Sequence, residues 1–367
     1  MGRMTNLQLW SMLFPYVFAT TIAFLIGPLA GHAGYSGWIC IAAAAVVGIG
    51  LSSAALPFCL KRSNDYLGLY GHKYIGTLPH KILMLIFAFY FLHLAAYILR
   101  EFVDFFSQVY LQETPPWAIA VFILFVAACL VQLGASGISR FAQGCFLLIG
   151  LMFLVKPLFF LEEYDGALVS ALMRVGDIRT LWSETYNIVP WYGELFMLIF
   201  FVPELQKPQS ARSILWFAAL AGTYILLSEY ILMIALFGPE LSGALSYPAL
   251  ELAGFIRLGD FLQNLDPLIV SVWFMAYFIK LSLIFYAGVL TFSHACSIKE
   301  IRLFTMPLAA IVVGLSLILA KNSVELAYYF DRSWATFALL VECLPLVYPA
   351  AAWFRARKTK TNPIPSA

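Results

Sequence analysis

Long apolar stretches follow one another along almost the entire chain and are separated only by short polar segments. A membrane hydrocarbon core about 30 Å thick is crossed by a helix of about 20 residues. No water is present there to satisfy a bare backbone group, so a lipid-exposed crossing segment must be helical or part of a closed barrel. The chain therefore predicts ten transmembrane helices: Leu7–Leu29, Trp38–Leu60, Ile82–Tyr110, Pro116–Leu133, Arg140–Leu161, Ser183–Leu205, Ile214–Phe237, Pro267–Phe292, Ile301–Ala320 and Trp334–Phe354.

The composition is that of an all-α polytopic membrane protein. Hydrophobic residues make up 62% of the chain and charged residues 11%, whereas a soluble domain contains about 45–50% and about 25%. We expect one transmembrane domain over residues 1–354 and a basic cytoplasmic tail over 355–367. The formal net charge of +2 gives no indication of a nucleic-acid partner.

The distribution of Lys and Arg predicts the orientation. When the ten helices alternate in direction, one face receives few basic residues: Arg174, Arg179, Arg257, Lys321 and Arg332. The opposite face receives Arg3, Lys61, Arg62, Lys73, Lys81, Arg140, Lys207, Arg212, Lys299, Arg302, Arg355, Arg357, Lys358 and Lys360. Cytoplasmic loops carry the excess of Lys and Arg, so we expect both termini in the cytoplasm.

Ten helices divide into two halves, at about residues 7–161 and 183–354, and an odd number of helices per half gives the halves opposite orientations. Inverted repeats of this kind place a ligand site near the midplane, at helices that are interrupted in corresponding positions. Here these are the first and sixth helices. In the sixth, Pro190 and Gly193 favour a break just before Glu194. In the first, the hydroxyls of Thr20 and Thr21 can satisfy freed carbonyls. A simple proline kink is the alternative.

Three charged residues lie near mid-depth, where each costs at least about 2.5–3.5 kcal/mol on insertion scales. They are Glu194, Lys280 and Glu342, and we predict that they serve ion or proton coupling; the alternative is an ion pair that only holds helices together. Lys156 and Arg100 lie nearer helix ends, where they can snorkel or pair locally. The predicted ligand-binding residues are Ala19, Thr20, Thr21, Tyr90, His93, Tyr192, Gly193, Glu194, Trp273 and Tyr277.

Two long outer loops and one inner loop complete the pattern. Glu162–Trp182 and Gly238–Asp266 lie on the outer side, and Tyr247–Asp260 has the apolar spacing of helices that lie on the membrane or fold inward as a lid. On the inner side, Asp65–His80 is typical of an interfacial segment. The six cysteines are scattered, so we expect neither a disulfide framework nor a metal site. No catalytic motif indicates an enzyme, and no cofactor is expected.

Several short motifs follow one another along the chain: Tyr97-Ile-Leu-Arg-Glu-Phe102, Glu113-Thr-Pro-Pro116, Gly193-Glu-Leu195 with Pro203 and Lys207-Pro208, Tyr247-Pro248 with Leu250-Glu251, and Gly259-Asp-Phe261. Taken in this order, they resemble motifs of the spore germination permeases. This family is similar to the amino acid–polyamine–organocation transporters of the leucine-transporter fold. Its members usually have glycine where this chain has Ala19-Thr-Thr-Ile22, so either the hydroxyls replace it or the break is milder.

The resemblance implies the membrane B subunit of a nutrient germinant receptor in the spore inner membrane. Such a subunit senses a small germinant, an amino acid or a nucleoside, and assembles with a membrane A subunit and a lipoprotein C subunit. The alternative function is a proton-coupled amino acid transporter that acts on its own.

Overall fold

The computed structural model describes residues 2–160, 166–254, 266–298, 300–320, 322–329 and 333–361. Outside these ranges lie several residues assigned above: Arg257, Lys299, Lys321, Arg332, the Gly259–Phe261 motif, the first residues of the Glu162–Trp182 loop and the end of the tail.

Helices make up most of the described chain. The α-helices are α1 (Asn6–Phe18), α2 (Thr21–Phe24), α3 (Ile26–Ala33), α4 (Gly37–Ala54), α5 (Leu56–Leu60), α6 (Leu67–Tyr70), α7 (His72–Ile75), α8 (Thr77–Val109), α9 (Pro116–Val131), α10 (Gly134–Val155), α11 (Gly166–Ala171), α12 (Ile178–Gly193), α13 (Ala211–Ala244), α14 (Pro248–Gly254), α15 (Asp266–Ala295), α16 (Arg302–Ile318), α17 (Ser323–Tyr329), α18 (Ala335–Cys343) and α19 (Val347–Thr361).

Helices occupy the positions of all ten predicted spans. In order, these are α1–α3, α4–α5, α8, α9, α10, α12 with the 3-10 helix Glu194–Phe200, α13, α15, α16 and α18–α19. Within the described ranges, seven helical stretches are long and apolar enough to cross a membrane, and α9 and α16 are shorter apolar helices. The sixth span falls outside both groups, so ten crossings remain a prediction.

Local sequence explains where several spans begin and bend. Thr5 starts α1 with a capping box, in which its hydroxyl accepts from the Gln8 amide at 3.2 Å and the Gln8 side chain accepts from the Thr5 amide at 2.9 Å. The seventh span continues beyond its predicted end at Phe237, but it bends at Gly238, which has φ 70°. A positive φ favours glycine, and the following proline removes a helical donor.

The packing of the spans has the symmetry of an inverted repeat. The first span packs against the fifth and seventh, and the sixth packs against the tenth and second. The third packs against the ninth, and the eighth packs against the fourth. If every span is replaced by the span five positions further on, counting from the first again after the tenth, each of these contacts is replaced by another one of them. Two related five-helix halves require this symmetry.

Glycines occur at equivalent crossings of the two halves. A Cβ at Gly48 of the second span would lie 2.5 Å from Tyr192 Cβ of the sixth. A Cβ at Gly222 of the seventh span would lie 2.8 Å from the Phe14 carbonyl oxygen and 2.9 Å from Val17 Cβ of the first. Both crossings bring backbones together just before the interrupted position of the partner span, as small residues allow in membrane bundles.

The two ends of the described chain lie on the same face of the bundle, beside the segment predicted to be interfacial. Arg3 Nη2 donates to Asn64 Oδ1 at 3.1 Å, and Arg355 Nη1 donates to the Lys73 carbonyl at 2.6 Å. This arrangement requires an even number of crossings. We name the opposite face the outer face, and its assignment to a compartment stays a prediction.

On the outer face, α14 packs against α2 and α15. Tyr247, which precedes it, places its ring 6.1 Å from Phe24 and 5.0 Å from Phe105. The described part of the outer loop therefore folds inward over the first span, which is one of the two arrangements that its spacing allowed.

Candidate functional site

The first span is interrupted at Ala19 and Thr20, between α1 and α2, although both residues keep right-handed helical angles. Nearby carbonyls are satisfied by side chains. The Thr21 hydroxyl donates to the Val17 carbonyl at 2.9 Å, and Trp273 Nε1 of the eighth span donates to the Ala19 carbonyl at 2.6 Å. The break is therefore mild, and a threonine hydroxyl takes the role predicted for it.

The sixth span changes its helix type at the predicted break. α12 contains Pro190 and ends at Gly193, and the chain continues as a 3-10 helix over Glu194–Phe200. A 3-10 helix longer than about 3–4 residues is uncommon and often marks strain or a hinge. From Glu194 onward the sixth span therefore has the tighter winding of a 3-10 helix, and its backbone remains helical.

A buried ionic cluster joins the two interrupted spans to the eighth. Lys280 Nζ lies 2.9 Å from Glu194 Oε2 and donates to Thr20 Oγ1 at 2.9 Å. Glu194 Oε2 also accepts from the Tyr16 hydroxyl at 2.8 Å. The side chains of Lys280 and Glu194 are each 1% exposed. The rings of Tyr16 and Trp191, with centroids 4.7 and 5.3 Å from Lys280 Nζ, add cation–π attraction.

Glu342 of the tenth span reaches the same region from the other side. Its Oε1 accepts from the Tyr90 hydroxyl at 2.8 Å. Its carboxylate lies against Gly193, where a Cβ would overlap it, so the position accepts only glycine without rearrangement. Within the described ranges, no group of three or more His, Cys, Asp or Glu side chains is arranged to hold a metal ion.

Aromatic side chains of the eighth span pack together beside the first span. Trp273 and Tyr277 pack edge to face with centroids 5.7 Å apart, and Phe105 of the third span lies 5.1 Å from Trp273. Trp273 belongs to this aromatic group and also donates a hydrogen bond to the Ala19 carbonyl of the first span. Its position therefore depends on the interruption at Ala19.

Two predicted ligand-binding residues lie apart from the cluster. The His93 ring lies among aromatic rings of the third and tenth spans, at 5.3 Å from Phe89, 4.8 Å from Tyr97 and 5.9 Å from Phe337. Tyr192 lies against Gly48 of the second span. Both side chains take part in helix packing.

A cavity of about 410 Å³ lies between the cluster and the outer face. Trp191, whose ring faces Lys280, is part of its wall. Its other walls come from the outer half of the first span, the third and tenth spans, and the loop around Tyr247. Its volume is within the range of about 300–1,000 Å³ that is usual for small-molecule sites.

The family model described as "Spore germination protein" matches residues 3–324. The chain belongs to the spore germination protein family. It is 21% identical to spore germination protein KB of Bacillus subtilis (strain 168) over an alignment of 379 residues that covers 98% of each chain. It is 28% identical to YfkT of the same organism over 217 residues, which are 59% of each chain. It is 25% identical to spore germination protein XB of Bacillus anthracis, over 71% of this chain and 73% of that relative.

Solved transporter structures share the fold of this germination protein. The structure of MhsT in complex with L-phenylalanine matches with a TM-score of 0.65 and 12% identity, covering 95% of this chain and 97% of that one. Mhp1, a nucleobase-cation-symport-1 family transporter with bromovinylhydantoin bound, matches with a TM-score of 0.60 and 13% identity, over 99% and 95%. These are proteins of the leucine-transporter fold, so the predicted fold class is confirmed, and the protein is a multi-pass membrane protein of permease type.

Three residues of this region were absent from the sequence-based prediction: Tyr16, Trp191 and Glu101. Tyr16 lies one helical turn before Thr20, so helical spacing places both on one face. Glu101 is 1% exposed and lines the cavity. Glu101 could have been predicted from the sequence, because an acid within an apolar span is costly and usually faces the bundle interior.

The second buried ion pair corrects one prediction. Lys156 does not snorkel to the membrane surface; its Nζ lies 2.6 Å from Glu229 Oε2 of the seventh span, with both side chains 2% exposed. Because Glu229 pairs with Lys156 inside the bundle, the Lys156 side chain does not need to extend to the membrane surface. Arg100 is paired as predicted, with its Nε 3.0 Å from Asp104 Oδ1.

Proposed function

We propose that this protein is the membrane B subunit of a spore nutrient germinant receptor. It binds a small germinant, an amino acid or a nucleoside, near the midplane, where the first, sixth and eighth spans meet. The observation that carries the proposal is the cluster of Lys280, Glu194, Thr20 and Tyr16, which joins both interrupted spans to a third one. Membership of the germination family supports a role of the protein in germination.

The chemistry of the cluster suits a switch that responds to occupancy. Lys280 uses its donors on groups from two different spans, so any displacement of those spans must exchange its partners. A germinant that displaces Glu194 or Thr20 from Lys280 would leave buried polar groups in need of new partners. Ligand binding would thereby favour a second arrangement of the first and sixth spans.

Membership of the family supports a proposal for the partners and the location of the protein. We propose that the protein assembles with an A subunit and a C lipoprotein in the spore inner membrane, with both termini in the cytoplasm. Coexpression of the three genes and purification through a tag on this chain tests the assembly. Recovery of this chain alone, at normal levels of all three proteins, would contradict it.

The function is tested in spores that lack the native gene and carry wild type, Glu194→Gln or Thr20→Val beside the cognate A and C genes. Germination is followed by loss of optical density after addition of a nutrient mixture. We expect the wild type to restore germination and both variants to lose most of the response. Immunoblots of spore membranes must show equal protein levels.

Thr223→Val is the matched control for the threonine variant. The Thr223 hydroxyl is also buried and donates to a carbonyl of its own helix, that of Ala219, at 2.7 Å. Thr223 lies outside the ionic cluster, so its variant should germinate normally. Normal germination of the Glu194 and Thr20 variants would instead refute the pocket.

A self-sufficient proton-coupled amino acid transporter is the second candidate, favoured by the buried Lys280–Glu194 pair and by the transporter fold. Purified protein in liposomes separates the two. Uptake of amino acids driven by a pH gradient, without the other subunits, would support the transporter, and its absence together with restored germination would support the receptor.

A further inference from the structure

We propose that the outer cavity recognises its ligand through an organic ammonium group, held by the Glu101 carboxylate between aromatic walls. The inference rests on the proposed function, which it deepens by naming the chemical class of the ligand. It selects amino acids and other small amines over uncharged germinants such as nucleosides.

The first observation is an unpartnered buried carboxylate oxygen that belongs to a cavity-lining side chain. Glu101 lies on the third span, is 1% exposed and lines the cavity of about 410 Å³. Its Oε1 has no hydrogen-bond partner among the described residues. A buried acceptor without a partner is costly, and the cost falls when a donor enters the cavity.

The second observation is the unequal pairing of the acids that line the cavity. Arg100 Nε lies 3.0 Å from Asp104 Oδ1, and His32 Nδ1 lies 3.4 Å from Glu184 Oε1. In the described part of the chain, no Lys, Arg or His nitrogen lies within 4.0 Å of the Glu101 carboxylate. Lys280, the neighbouring cation of the inner cluster, is engaged by Glu194. Of the three acids that line the cavity, Glu101 is therefore the one without a basic side chain within 4.0 Å in the described part of the chain.

The third observation is the aromatic character of the remaining wall. Trp191, Trp334, Phe24 and Tyr247 all line the cavity. Aromatic rings attract organic ammonium groups through cation–π interactions. A bare metal ion gains more from a shell of oxygen ligands than from rings. Carboxylate and rings together favour an organic ammonium ligand over an inorganic cation.

The test uses purified full-length protein and matched pairs of probes. L-alanine, L-valine and n-propylammonium carry the ammonium group; L-lactate, 2-hydroxyisovalerate and n-propanol replace it with a hydroxyl, and inosine represents uncharged germinants. Binding is measured by calorimetry and by the rise in melting temperature. We expect binding only among the ammonium compounds, and weakening by at least about tenfold in Glu101→Gln, as for one lost charge-assisted hydrogen bond.

Two further variants keep the result interpretable. Glu101→Asp retains the charge and should retain part of the affinity, which a merely misfolded protein would not. Glu113→Gln removes an exposed acid outside the cavity and should bind as wild type does. Equal binding of hydroxyl and ammonium probes, binding of none of the ammonium probes, or stabilisation by sodium or potassium chloride alone would each overturn the inference.

The outcome is separable from that of the proposed function. If spores require the protein but the wild type binds inosine and the hydroxyl probes equally well, the ligand class is wrong and the receptor role stands. If germination does not depend on the protein while the ammonium probes still bind through Glu101, the receptor role fails and the ligand class stands.

Discussion

Removal of one member of the Lys280–Glu194 pair should cost far more than removal of both. Nζ and Oε2 are 2.9 Å apart, and both side chains are 1% exposed. Breaking a buried pair from one side leaves an uncompensated charge and costs about 3–5 kcal/mol, whereas replacing both partners is often neutral. We expect this loss in Lys280→Met and in Glu194→Gln, and recovery in the double variant.

The assay can use the protein's own thiols. Cys40 and Cys59 are free and buried, so a thiol-reactive dye labels them when the bundle opens on heating. A shift of about 2 °C per kcal/mol, the lower value for chains of 150–250 residues, predicts that Lys280→Met lowers the melting temperature by about 6–10 °C. The double variant should melt within about 2 °C of the wild type.

The double-mutant cycle gives the coupling energy directly. Two single losses of about 3–5 kcal/mol and a nearly neutral double variant correspond to a coupling of about 6–10 kcal/mol. The control cycle combines Lys280→Met with Glu229→Gln, whose buried partner is Lys156. Those two changes should be additive. If the losses for Lys280 and Glu194 also add, the two side chains do not interact in the membrane, and the cluster on which the proposed function rests is wrong.

Three further predictions use the same melting assay. Gly193→Ala should lower stability by about 1–3 kcal/mol because its Cβ would overlap the Glu342 carboxylate, which is buried and bound to the Tyr90 hydroxyl and can move away only by losing that hydrogen bond; an unchanged melting temperature would place that carboxylate elsewhere. Gly48→Ala should cost about as much, since its Cβ would meet the sixth span, while Gly50→Ala on the same helix, with nothing within 4 Å, should cost nothing. Lys156→Met should lose about 3–5 kcal/mol by leaving its buried glutamate partner alone, and a loss under about 1 kcal/mol would contradict the pairing.

Much of the fold was predictable because membrane spans are a local property. Length and hydropathy of a single segment decide whether it crosses, and the helices occupy all ten predicted positions. The observed boundaries differ from the predicted ones where polar residues continue a helix. α12 begins at Ile178, before the predicted Ser183, because Asp177 caps it by accepting from the amides of Arg179 and Thr180.

The predicted site residues were chosen for two different physical reasons, the need to pair a charge and depth in the membrane. Lys280 and Glu194 were chosen because a charge in the membrane requires a partner, and they are partners. His93 and Tyr192 were chosen from depth alone, and depth does not specify which side of a helix faces the pocket. Their faces are occupied by the tenth and second spans.

The amino-acid sequence alone determined that this protein lies in a membrane, approximately where its spans lie and which charges had to be paired. Each of these depends on the free energy of placing a single segment in the membrane, which the segment's own residues decide. The rotation and crossing of the helices decided which groups meet: Lys280 with Thr20, Glu342 with Gly193, and Glu101 with an open cavity. These contacts join residues far apart in the chain, so only the packed bundle brings them within bonding distance.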